Sequence, residues 1–228
     1  MFLAPADRIT DYVARGWWDG ITVNAVVVFL ACARLGRIVS PVAMQYCEHE
    51  PGHILDLTEP AAFMTIPRFA GCPAGAMIES LALKRPRMRI PLFGGGDRGD
   101  LYSLLDARPD PGLAAYVAEH PTEAGEVLTI CWTSGTEATP KGVPRDHNHW
   151  VLNARIIAEA TGMQPAETLL NLFPLVDIAS IGGLVMPSFW LAGRLVMHHP
   201  FDLAVFSRKQ WWSASPTRLR RLPCSSCG

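Results

Sequence analysis

The chain has 228 residues, room for one large domain or two small ones at roughly 100–200 residues each, and too short for a large multidomain enzyme. Its 20 Lys and Arg nearly balance 21 Asp and Glu, and the net charge of -1 carries no electrostatic footprint for nucleic acid or an acidic membrane surface. With 49% hydrophobic and 18% charged residues, the composition supports a sizeable core and excludes a disordered chain.

In chain order, Met1 to Asp19 carries Asp7, Arg8, Asp11, Arg15 and Asp19 and so lacks the apolar centre of a signal peptide; the expected location is the cytoplasm. Asn24, AVVVFLACAR and Gly36 predict a helix with an N-cap residue and a C-terminal glycine, apolar nearly all round and therefore expected to be buried. RIVSPV reads as a strand, EHEPGHILDL from Glu48 as a helix, AAFMTI ending at Ile66 as a strand, AGAMIESLALKR as a helix and MRIPLF as a strand. A Gly/Asp loop follows, then DLYSLLDAR as a short helix. EVLTICW, Glu126 to Trp132, predicts a strand that opens into a polar loop, and His147 to Met163 predicts a long helix. TLLNLF, a Gly-interrupted helix over Ile181 to Leu191, and RLVMHH complete the pattern. Strands alternating with helices argue for an α/β fold with a mostly parallel sheet and flanking helices. The longest uncharged apolar stretch, Ile178 to Gly193, is shorter than the ~20 residues that cross a bilayer, so no membrane span is expected.

Thr133 to Val143 reads Thr-Ser-Gly-Thr-Glu-Ala-Thr-Pro-Lys-Gly-Val directly after a strand. Backbone N–H groups, short hydroxyl donors and a lysine are what a polyphosphate needs. The same composition also suits a solvated Ser/Thr/Gly turn. It is not a Walker A loop, because Lys141 precedes the second glycine, Gly142.

This order of residues, with His147-Asn148 shortly after, closely resembles the phosphate-binding signature of the AMP-forming adenylate-forming enzymes, the acyl-CoA synthetase family. Glu137-Ala138 stand where that signature commonly has Thr-Gly. Phe29 to Glu50 resembles the family's helix–strand stretch, and FPLVDIASIGG from Phe173 resembles a segment near its acyl pocket, with Val176-Asp177 in place of Phe-His. HHPFD, ending at Asp202, also has the family's form. The resemblance implies the N-terminal large domain of the adenylate-forming fold, present in part. It implies that Thr133, Ser134, Gly135, Thr136, Lys141 and Gly142 grip the β- and γ-phosphates of ATP. His147, Asn148 and Asp177 are candidate substrate-side residues, although a capped helix start accounts for His147-Asn148 as well. The implied reaction is attack of a carboxylate on the α-phosphorus of Mg2+-bound ATP, then transfer of the acyl group to CoA. Because the attacking group is already an anion, no general base is assigned, and the rate effect is expected from positioning and electrostatics. No residue is assigned as catalytic or as a metal ligand.

The family's Tyr-Gly-x-Thr-Glu and Thr/Ser-Gly-Asp segments do not occur here, so the chain is expected to be a truncated N-terminal fragment, inactive alone. Residues 1–206 form the expected partial AMP-binding domain. The tail, 207–228, holds Arg208, Lys209, Arg218, Arg220 and Arg221 with no acidic residue; it fits neither helical nor strand period and is expected to be frame-shifted, which the nucleotide sequence tests.

Two other readings stand beside this one: a non-catalytic ATP- or acyl-binding fragment, and a dinucleotide-binding oxidoreductase built on Gly94 to Gly99, which satisfies GxGxxG formally but whose unit Pro109 and Pro111 interrupt. Cys32, Cys47, Cys72 and Cys131 read as reduced, buried thiols. Cys224 and Cys227 form a lone CxxC, too little for a zinc site.

Overall fold

The computed structural model of the chain describes residues 17–18, 23–43, 49–66, 68, 73–85, 88–93, 110–133, 139–176, 178–197 and 219–220. They fall into two compact units, residues 1–147 and 148–228.

In the first unit, β1 (Trp17–Trp18) precedes α1 (Val23–Arg34). The helix begins at Val23, so Asn24 lies inside its first turn and not at the N-cap position. Its end follows expectation: Gly36 takes a φ of +62°, its N–H reaches Ala33 O and the Arg37 N–H reaches Cys32 O at 2.8 Å, a Schellman ending that needs a left-handed residue at this position. The helix is not buried all round. Ala25, Val26, Val28, Phe29 and Cys32 face inward, whereas Val27 and Leu30 are 39% and 41% exposed, because the unit packs against one side of the helix only. The expected strand RIVSPV reduces to a single parallel bridge, Val39 to Thr129.

α2 (His49–Thr58) tolerates Pro51 because it sits in the first turn, where an N–H is unpaired anyway. β2 (Ala62–Thr65) is buried at every position, as a central strand with both faces covered should be. α3 (Ala74–Leu83) leads to β3 (Arg89–Phe93), and the strands pair in parallel in the order β1-β2-β3. Their core gathers Val42, Ile54, Leu55, Phe63, Ala74, Ile78, Leu81 and Met88, with Trp132 packed against it. At its edge the Arg85 guanidinium grips Asp56 at 2.6 Å and Gly52 O at 3.0 Å.

α4 (Pro111–Glu119) was not expected from sequence. Asp110 caps it, accepting the Gly112 N–H at 2.7 Å, and Pro111 occupies its first position, where proline removes only an orphan donor. Tyr116 stacks on His120 and accepts a hydrogen bond from the guanidinium of buried Arg37, which ties this largely exposed helix to the end of α1.

β4 (Val127–Trp132) pairs with β5 (Gly142–Asp146) in an antiparallel hairpin, from Val127 opposite Asp146 to Trp132 opposite Gly142. This corrects the polar-loop reading of 142–146 and is the one antiparallel pair among the described strands; the rest are parallel, as expected.

α5 (His147–Thr161) carries the chain into the second unit and buries Trp150, Ala154 and Ala158, one residue per turn along a single stripe. β6 (Thr168–Asn171) is fully buried. It is flanked in parallel by β7 (Arg194–Met197) and by β8 (Leu219–Arg220), the latter drawn from the tail expected to form no regular structure. Between β6 and β7 run α6 (Ile178–Ser180), a π turn (Ile181–Val185) at the expected glycine interruption, and α7 (Met186–Trp190). Ala158, Met163, Leu169 and Leu184 form this unit's core, closed by Ile157, Phe173, Leu191 and Leu195.

Cys32 and Cys131 are buried thiols outside any disulfide. Cys47, Cys72, Cys224, Cys227, the Gly94 to Gly99 run and the DLYSLLDAR segment lie outside the described residues.

Candidate functional site

β4 ends at Trp132 and β5 begins at Gly142, so the hydroxyl-rich loop spans the tip of the hairpin. Two hydrogen bonds close its neck. The Thr133 N–H donates to Lys141 O at 3.0 Å, and the Lys141 N–H donates to Thr133 Oγ1 at 3.1 Å. The Thr133 hydroxyl thus acts as a side-chain cap on the return of the chain. Both residues are exposed, as is Thr139, while Pro140 is buried. Ser134, Gly135 and Thr136, with Glu137 and Ala138, lie outside the described residues.

Gly142 has a packing role. A Cβ at this position would stand 2.7 Å from Ile130 Cγ2 and 3.2 Å from two ring atoms of Trp132, so glycine is what allows the two strands to close at the neck. Trp132 is itself fixed, its indole N–H donating to Ser40 Oγ at 2.8 Å, with Ser40 buried beside the Val39 bridge to β4. Neither Ser40 nor Trp132 was singled out from sequence. The available signal was an aromatic residue carrying a polar N–H immediately before the loop, a group that needs a partner once covered.

His147 stands at the other end of β5, about 20 Å from Lys141 at roughly 3.3 Å per strand residue. Its N–H donates to Glu126 O at 3.3 Å. Its imidazole is half-buried, and burial pushes its pKa below the ordinary value of 6.5, partly offset by the carboxylates of Glu126 and Asp146. Asn148 follows it, exposed, in the first turn of α5. Thr133, Lys141 and Gly142 are therefore brought together, and His147 is not with them. Asp177 lies outside the described residues. The segment leading to it is held by buried Asn171, whose Oδ1 accepts the Phe173 N–H at 2.9 Å and whose Nδ2 donates to Ser180 Oγ at 2.8 Å. Among the described residues no group of three or more His, Cys, Asp or Glu is placed to hold a metal ion, and no helix is long and apolar enough to cross a membrane.

Comparison with known proteins places this hairpin in context. The family model for AMP-binding enzymes matches residues 20–217. A 2-hydroxy-7-methoxy-5-methyl-1-naphthoate–CoA ligase from Streptomyces carzinostaticus is 26% identical over 203 residues, covering 86% of this chain and 35% of that protein. A salicylyl-CoA synthase / salicylate adenylyltransferase from a Streptomyces species is 26% identical over 179 residues, 75% of this chain and 31% of its own length. The chain thus spans about a third of the curated relatives it matches. Among solved structures, the N-terminal domain of FACL13 from Mycobacterium tuberculosis superposes with a TM-score of 0.68 at 20% identity, covering 86% of this chain and 48% of that one. ATP-bound MatB from Rhodopseudomonas palustris superposes with a TM-score of 0.67 at 19% identity over 91% of this chain and 39% of MatB. These likenesses carry the fold: a mixed α/β N-terminal domain of the adenylate-forming kind.

Proposed function

Because the chain belongs to the AMP-binding enzyme family, we propose that its β4–β5 hairpin grips the polyphosphate of ATP in the activation of a carboxylic acid. In that reaction a carboxylate oxygen bonds to the α-phosphorus, the bond to the bridging oxygen breaks and pyrophosphate leaves. The CoA thiol then bonds to the acyl carbon, loses its proton to solvent and releases AMP.

The observation that carries this reading is the closed neck, with Thr133 and Lys141 tied by reciprocal hydrogen bonds and the exposed Lys141 side chain beside the loop mouth. A cation beside such a mouth attracts a polyanion, and a closed neck lowers the ordering cost of binding it. Ser134, Gly135 and Thr136 enter the proposal by their order in the sequence. Mg2+ fits as a companion of the nucleotide, held largely by phosphate oxygens and water, as is usual for this ion. His147 and Asn148, at the far end of β5, are assigned to the start of α5, and Asp177 to the substrate side.

Titration of the chain with Mg-ATP by calorimetry tests the reading. Binding is expected, weakened at least tenfold when Ser134→Ala and Lys141→Ala are combined. No binding by the unaltered chain, or equal binding by the double variant, rejects it. Turnover is a separate measurement, and binding alone decides this reading.

A further inference from the structure

The geometry points to Trp132 as a positioning residue that couples the loop neck to the segment carrying Ser40. The inference rests on the polyphosphate-loop reading and deepens it.

Three contacts converge on this one side chain. The indole N–H donates to Ser40 Oγ at 2.8 Å, the ring lies over Gly142, leaving a would-be Cβ 3.2 Å from its edge, and its apolar body packs on the cluster that contains Val42, Ile54 and Phe63. Ser40 is 1% exposed, and the Val39 next to it is bridged to β4 by Val39 N–H to Leu128 O at 2.7 Å and Ile130 N–H to Val39 O at 2.9 Å. Ser40 is therefore a fixed point. Trp132 also precedes Thr133 in the chain and faces Gly142, the residue after Lys141, across the hairpin. A rotation of the indole would therefore act on the strand ends that carry the two residues closing the neck. A phenylalanine would fill most of the same apolar space without reaching as far over Gly142; the indole adds one directed hydrogen bond to a buried hydroxyl, and that bond selects a single ring orientation.

Removing the bond from either side should loosen the neck without dismantling the core. Ser40→Ala and Trp132→Phe, each in the full chain, are expected to accelerate amide exchange at Thr133 and Lys141 by about threefold to tenfold, the range of one lost intramolecular hydrogen bond. Exchange at Ala154 and Ala158 of α5 should stay unchanged. Mg-ATP affinity should fall by a similar factor. The two changes delete the same interaction, so the double variant should be no worse than the more affected single one. Unaltered exchange at Thr133 and Lys141 in both single variants, or effects that simply add, would overturn the assignment. Failure of the unaltered chain to bind ATP would overturn the polyphosphate reading alone, since the exchange measurement still decides the role of Trp132.

Discussion

Thr133 and Lys141 hold each other across the loop they bound, each donating its backbone N–H to the other residue, one to a carbonyl and one to a hydroxyl. The asymmetry makes a prediction. Thr133→Val keeps the shape and the carbonyl bond but removes the hydroxyl acceptor, so only one of the two ties is lost. Mg-ATP affinity should fall by roughly threefold to tenfold, with the thermal midpoint little changed because the site is exposed. Calorimetric titration beside a melting curve checks this, and an affinity equal to the unaltered chain would show that the cap plays no part.

Lys141 should act through its charge. The side chain is exposed, so its attraction for a polyanion is screened by salt. Lys141→Arg should retain most of the ATP affinity, Lys141→Ala should lose about tenfold at low ionic strength, and the difference between the two should shrink as salt is raised toward 0.5 M. A loss that does not respond to salt would assign the lysine a packing role.

Much of the fold can be read in the sequence wherever local pattern and tertiary demand agree. AFMT, buried at all four positions, is mostly apolar because β2 is central, and Trp150, Ala154 and Ala158 share a helical stripe. The elements that escaped are those whose local signals conflict. Pro111 reads as a breaker until Asp110 is seen to cap the helix it begins. Gly142 and Pro144 disfavour a strand, and β5 exists because Trp132 and Ile130 upstream offer these two residues their partners. The loop itself was legible by residue order. Its anchoring was not, because Ser40 and Trp132 are 92 positions apart and no local period links them.

Asn171 and Ser180, both fully buried, should behave as a unit. Asn171→Ala removes the donor to Ser180 Oγ and the acceptor for the Phe173 N–H together, which should cost about 2 kcal/mol of stability. Adding Ser180→Ala to it should cost less than Ser180→Ala does alone, since one partner is already gone. Denaturant unfolding of the three variants measures this, and strictly additive losses would show the two residues to be independent.

His147 predicts a pH dependence with a definite sign. Burial lowers its folded-state pKa below the ordinary 6.5, so the unfolded chain binds the proton more tightly than the folded one. The resulting stability is complete above about pH 7.5 and is lost as pH falls through 6.5 toward the lower folded-state value. The carboxylates of Glu126 and Asp146 oppose the shift, which keeps the effect modest. Between pH 7.5 and pH 5.5 the melting temperature of the chain should therefore drop further than that of His147→Gln, which stays uncharged throughout. His147 starts α5 with its ring half-buried and its backbone N–H bound to Glu126 O, so the change should register in folding stability and leave Mg-ATP affinity at the neck unaltered over the same range. Parallel pH profiles for the two chains would remove His147 as a source of the dependence, and an ATP affinity that tracked its titration would place the imidazole at the nucleotide after all.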